Sequence, residues 1–267
     1  MNITRRHKQS LPLHGRKIKK QNSRWPLAIG LLFTLVFIFL SFLAYKVFTV
    51  EGFAFVNKAE NGDAEIIVFD PVANTSKSFV VAGDTVLASS RSLGEYRLDN
   101  LWILGRKEGY GGKLISESIS KNFLIPIYYW KDENKTNLDI FKLIRAKIIL
   151  GSGSIEKKDI QLNNLSNSTL VNFVNTEISD SGVEVEIEDL TGTVSISNDV
   201  AKILEILGTK ITSFSKGYEK DLDCEVLGTS KKLVEVIATY LGCKETVKQD
   251  LKTDIVVRLG GQFAERF

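Results

Sequence analysis

Asp84, Arg97, Asp99 and Arg106 are the side chains from which chemistry could be assembled in this sequence. Asp84 lies in FVVAGDTVLAS, residues 79 to 89, at the end of an apolar strand. A carboxylate in that place can hold Mg²⁺, and an arginine close by can clamp a diphosphate through two parallel N–H···O bonds. The same four residues also suit the solvated end of a strand and the solvated face of a helix. The two residues before Asp84, Ala82 and Gly83, carry no functional group. Both histidines, His7 and His14, lie close to the N-terminus. Ser-His-Asp, Cys-His and histidine-zinc chemistry are therefore absent from the rest of the chain. GYGGK, residues 109 to 113, is the nearest approach to a phosphate-binding glycine loop. It has no strand before it and no Ser or Thr after the lysine, and it reads as a turn.

The N-terminal segment sets where any such site would work. Residues 1 to 24 form a basic tail without a single acid, and the chain beyond it is net acidic although the total is +3. So small and local an excess argues against a nucleic-acid partner. The run from Pro26 to Tyr45 contains no charge, and about 20 apolar residues suffice to cross a bilayer as a helix. Trp25 and Tyr45 stand at its two ends as interface anchors. The expectation is a transmembrane helix over 25–47, with the basic tail in the cytoplasm and everything after it extracytoplasmic. A cleaved signal peptide would have a shorter apolar core and a better small-x-small site. In an oxidising compartment Cys224 and Cys243 can form a disulfide closing about 20 residues. Two buried free thiols are the alternative.

Residues 48–62 read as a stalk running into a first strand. AEIIVFD and SFVVA read as strands, and TVLAS extends beyond the break at Gly83. Helices are expected over 95–105, 113–124 and 137–150, the last capped near Asn137, with a strand at IPIYYW and another possibility at KDIQL. Together these make a shortened mixed α/β domain over 63–165. An Asn- and Ser-rich linker, 166–177, leads to a second domain over 178–267. There VEVEIED, TKITSFS, DCEVLGT and DIVVRLGGQF read as strands. SNDVAKILEILG and SKKLVEVIATYLG read as helices, the first capped by Ser197 or Asn198 and each stopped by glycine. The order βαββαβ predicts a small α/β sandwich with both helices on one face of a sheet.

The second domain resembles the C-terminal domain of LytR-CpsA-Psr envelope proteins, through VEVEIEDLTGTVSISNDVAKILEILGTKITS and KTDIVVRLGGQF. The first is similar to a shortened catalytic domain of the same family. The likeness is carried by AEIIVFDPVANTSKSFVVAGDTVLAS, GEYRLDNLWILG and GGKLISESISKNFLIPIYYW. The resemblance implies a family that transfers glycopolymers from a polyprenyl diphosphate carrier to the cell wall, with arginines on the diphosphate and carboxylates on Mg²⁺. Asp84 matches the motif aspartate, Thr85 the threonine and Arg97 a basic position. Ala82 and Gly83 stand where the family has Pro-Arg, and a later arginine-bearing segment has no counterpart. The expectation is a non-catalytic, membrane-anchored envelope protein that uses no cofactor and binds a cell-wall polymer, a lipid-linked precursor or a protein partner. The alternative is a divergent transferase with Mg²⁺ on Asp84 and diphosphate on Arg97.

Overall fold

The computed structural model describes residues 25–48, 52–70, 75–132, 135–151, 155–158 and 170–267. Two compact units emerge, Met1–Tyr45 and Lys46–Phe267. The basic tail and the Trp25 side chain lie outside the described residues, as do 159–162 of KDIQL.

Helix α1 runs from Trp25 to Phe48. From Ile29 to Phe42 its apolar side chains are exposed on successive residues, Leu31, Leu32 and Phe33 among them, so no face of that stretch is covered, whereas Val47 near the end of the helix is buried. Tyr45 is exposed as well. Side chains of α1 are described from residue 29 to 45 and at Val47. Among the described residues, no helix is long and apolar enough to cross a membrane.

The second unit begins with a mixed sheet ordered β6-β1-β2-β3-β7. Strands β1 (Phe53–Lys58), β2 (Ala64–Asp70) and β3 (Thr75–Val81) are successive antiparallel neighbours. Strand β1 falls within the stretch read as a stalk. It is apolar on both faces because helices cover both sides of the sheet: Ala54 and Val56 enter one core, Phe53 and Phe55 the other. Strands β4 (Val86–Ala88) and β5 (Glu95–Arg97) form a separate ribbon. Helices α2 (Leu98–Lys107) and α3 (Lys113–Phe123) bury Leu98, Leu101, Trp102, Leu114, Ile115 and Ile119 against the first face. Strand β6 is short, Tyr129–Lys131. Helix α4 (Ile140–Gly151) covers the second face through Leu143 and Ala146, and β7 (Ile155–Lys158) closes the sheet edge. Asn137 does not cap α4. Its side chain accepts from Trp130 N and donates to Tyr128 O, while Asp139 accepts the Lys142 N–H. The residues before the second lobe are not an open linker in their described part, since Phe173 stacks on Phe79 inside the first core.

The second lobe contains α5 (Thr176–Ser181), β8 (Glu184–Asp189), α6 (Val194–Leu207), β9 (Lys210–Lys216) and β10 (Cys224–Gly228). It continues with α7 (Lys231–Leu241), β11 (Lys244–Val247), β12 (Ile255–Leu259) and α8 (Gly261–Arg266). The sheet order is β11-β10-β12-β8-β9. Alternation in β8 places Val185 and Ile187 in one core with Val200, Leu204, Val234 and Ile237 from α6 and α7, so both helices share a face. Helix α6 starts earlier than its sequence suggests. Buried Asp189 accepts from the Thr191 hydroxyl at 2.6 Å and the Ser197 hydroxyl at 2.8 Å, and this pins the entry turn in place of an end cap. The last strand stops at Leu259, and Gly260 turns the chain into α8.

Polar pairs hold the other face of that sheet. Arg258 donates to Glu188 at 2.9 Å, Glu219 at 3.1 Å and Glu225 at 3.3 Å. The Thr246 hydroxyl bond to Glu225, then Arg258 and Lys244, outweigh partial burial and hold the Glu225 carboxyl below its usual range. A carboxyl depressed on folding stabilises the fold above its unfolded pKa, and the contribution is lost as pH falls through the folded value. Stability is therefore expected to decline as pH drops below about 4.3, the ordinary glutamate value. Glu225→Gln should flatten that decline in denaturant unfolding measured at stepped pH.

Candidate functional site

The corner after β3 is organised by backbone hydrogen bonds. Thr85 N donates to Ala82 O at 3.0 Å, closing a turn around Gly83 and Asp84. Leu98 N donates to Thr85 O and Asp99 N to Gly83 O, both at 2.9 Å. The Asp84 turn and the Arg97–Asp99 entry to α2 therefore meet at one corner. Their side chains do not form a common site. Arg97 is exposed and bonds Asp99 Oδ2 at 2.7 Å, so its charge is already matched. Asp84 is exposed, and its carboxylate has no hydrogen bond or ion pair among the described residues. Arg106 lies in the last turn of α2, roughly 10 Å along the helix from Asp99, and takes no part in the corner. Among the described residues, no group of three or more His, Cys, Asp or Glu could hold a metal ion.

Position 83, where the resemblance puts an arginine, is a point of close approach. Gly83 N donates to Asp63 Oδ1 at 2.7 Å. A Cβ there would stand 3.1 Å from the Gly62 carbonyl carbon and oxygen and 3.2 Å from Asn61 O. Any side chain at 83 requires the 61–62 turn to move. The glycines of GYGGK have a packing role too. A Cβ on Gly112 would fall 2.4 Å from the Trp130 ring, and one on Gly105 would fall 2.3 Å from Gly111 O. The turn is shaped to seat an indole and the end of α2, and it is not a phosphate cradle.

A concavity open to solvent lies between the two lobes. Ile127, Ile203, Leu241, Phe263 and Phe267 supply apolar walls. Glu117 and Arg266 are the charges on its rim, and each is satisfied within its own lobe. Glu117 receives Arg91 Nε at 3.2 Å and Nη2 at 3.1 Å, and Arg91 stacks over Tyr110 at 4.3 Å. Arg91 and Ser92 adopt left-handed backbone, φ 65° and 52°, which turns this loop toward α3. The Ser90 hydroxyl is 3.3 Å from Glu117, whose two oxygens are already held by the Arg91 guanidinium. Arg266 donates to Asp223 at 2.7 Å and to the carbonyls of Leu241 and Gly242 at 3.1 Å, with its guanidinium over the Phe263 ring. Burial lowers the Lys121 ammonium below its usual range, against the opposing charge of Asp199 from the other lobe. A second cavity of about 260 Å³, lined by Phe53, Phe69, Pro126 and Phe173, shares Tyr240 with the first. Neither cavity is lined by Asp84 or Arg97.

No local sequence signal marks this cleft, because its lining comes from positions 90 to 267. Cys224 and Cys243 are joined as a disulfide with their Cα atoms 4.9 Å apart, next to the Arg266 hub.

No family model matches the chain, and no curated protein matches it. A crystal structure of a transcriptional regulator from Enterococcus faecalis is similar at 12% identity, covering 75% of this chain and 91% of that one. Its TM-score of 0.26 is too low to carry an argument about fold or function.

Proposed function

We propose that this chain is a membrane-anchored, extracytoplasmic cell-envelope protein, a degenerate relative of LytR-CpsA-Psr proteins. It binds a cell-wall polymer, a lipid-linked precursor or a protein partner without turning it over. The observation that carries the reading is the corner at Asp84. Its arginine is neutralised by Asp99, its carboxylate faces water, and position 83 carries no second cation and sits in close contact with the 61–62 turn. Charge-assisted contacts to a phosphate are worth roughly 1.5–3 kcal/mol each, so a corner without them grips a diphosphate weakly. The uncovered apolar surface of α1 supports the anchor, since a helix apolar all round calls for lipid or a large core.

The meeting of the Asp84 turn with Arg97 favours one competing reading, a divergent Mg²⁺-dependent glycopolymer transferase. The two separate in one assay. The purified full chain is incubated with Mg²⁺ and a synthetic polyprenyl diphosphate-linked glycan. The expected result is no release of the carrier, with Asp84→Ala indistinguishable from the parent. Mg²⁺-dependent release that Asp84→Ala abolishes would establish the transferase instead.

A further inference from the structure

Helix α4 turns an apolar face away from the protein. Leu143 and Ala146 point inward, against Phe53, Phe55 and Phe69 of the sheet. Ile140, Ile144 and Ile148 recur at intervals of four and so share an arc of roughly 80° on the helix. They are 65%, 40% and 44% exposed, whereas the spaced apolar residues of α3 and α7 are buried. Single exposed apolar residues are ordinary, but an aligned row on one helix is not. The helix carries Lys142, Arg145 and Lys147 and no carboxylate. Lys147 is exposed beside Ile148, and Lys142 is paired to Asp139 at 2.6 Å.

An apolar stripe flanked by cations is the composition of a helix that lies in a membrane interface. Four residues, 49 to 52, join α1 to β1, and α4 covers the sheet face to which Phe53, the first residue of β1, contributes. A second copy fits less well, because a symmetric contact through this stripe would oppose cations to cations with no carboxylate on the helix to match them.

We propose that the outer face of α4 rests on the anionic surface of the membrane, with the three isoleucines at the headgroup–acyl boundary and Lys147 at the lipid phosphates. This rests on the membrane-anchor reading, so the test must report on the two separately. The full chain is reconstituted into phosphatidylcholine vesicles containing phosphatidylglycerol and a phospholipid with a photoreactive acyl chain. After irradiation, lipid adducts are mapped by mass spectrometry. Adducts are expected in both 25–48 and 140–151. The variant Ile140→Ser/Ile144→Ser/Ile148→Ser should lose about five-fold or more of the second set and keep the first. These positions are exposed, so the variant keeps its fold, which circular dichroism checks. Omitting phosphatidylglycerol should weaken only the α4 adducts. Adducts in α1 without any in α4 overturn this inference and leave the anchor intact. Adducts in neither overturn both. Cross-links between two copies through α4 overturn it in favour of self-association.

Discussion

Removing residues 1 to 48 is expected to transfer the protein completely from the membrane pellet to the soluble fraction, still folded. The described core clusters contain no residue before Phe53, and of the described side chains removed only Val47 is buried, so the truncation leaves the cores of both lobes whole. What it subtracts, on the proposed reading, is the attachment. The proposed attachment rests on the uncharged run from Pro26 to Tyr45, close to the 20 or so apolar residues a bilayer-crossing helix needs. Each exposed Leu, Ile or Phe transferred from water to an apolar medium contributes about 1.5–3 kcal/mol. More than half the residues of α1 are of these types or similarly apolar, so the sum far exceeds thermal energy. Alkaline carbonate extraction decides the matter. The full chain should stay in the pellet, and its appearance in the supernatant would remove the anchor. Protease added from outside should spare the basic tail and reach the lobes, as the positive-inside orientation requires.

The double substitution Cys224→Ser/Cys243→Ser is expected to lower stability by about 3 kcal/mol, measured by denaturant unfolding. The bridge spans a sequence separation of 19, and opening it restores that much freedom to the unfolded chain. It also fastens the segment after α7 to β10. Arg266 donates there to two backbone carbonyls and lies over Phe263, so the wall of the inter-lobe cleft loosens with it. The parent protein treated with reductant should follow the variant. Equal stability of parent and variant, with and without reductant, would mean that the bond contributes nothing in solution.

The elements legible in the sequence are those whose periodicity has one meaning. Helices α3, α6 and α7 have apolar residues on one side, and Gly208 and Gly242 stop the last two in left-handed backbone, φ 111° and 65°. Strand β8 alternates and is half buried as expected. Strand β1 was harder to read because burial on both faces erases alternation in FAFVNK. Strand β11, KETV, is a polar edge strand with no apolar rhythm. The start of α6 moved because its first turn is held by Asp189, several residues away, in place of a neighbouring cap. At the candidate site, backbone bonds join the Asp84 turn to the entry of α2. Proximity in sequence could not reveal that Asp99 takes the arginine, nor that the 61–62 turn closes the space above Gly83. Those are facts of packing between segments.

The position of β12 has a consequence for how the protein is made. Its neighbours β10 and β8 belong to two βαβ halves, and no strand of one half pairs with a strand of the other except through residues 255 to 259. The strand that unites them is synthesised after both halves. Until it arrives, the facing edges of β8 and β10 stand unpaired, which is the feature chaperones and degradative proteases recognise in unfinished chains. Synthesis that stops short of Ile255 thus leaves the sheet of this lobe without the strand that joins its two halves.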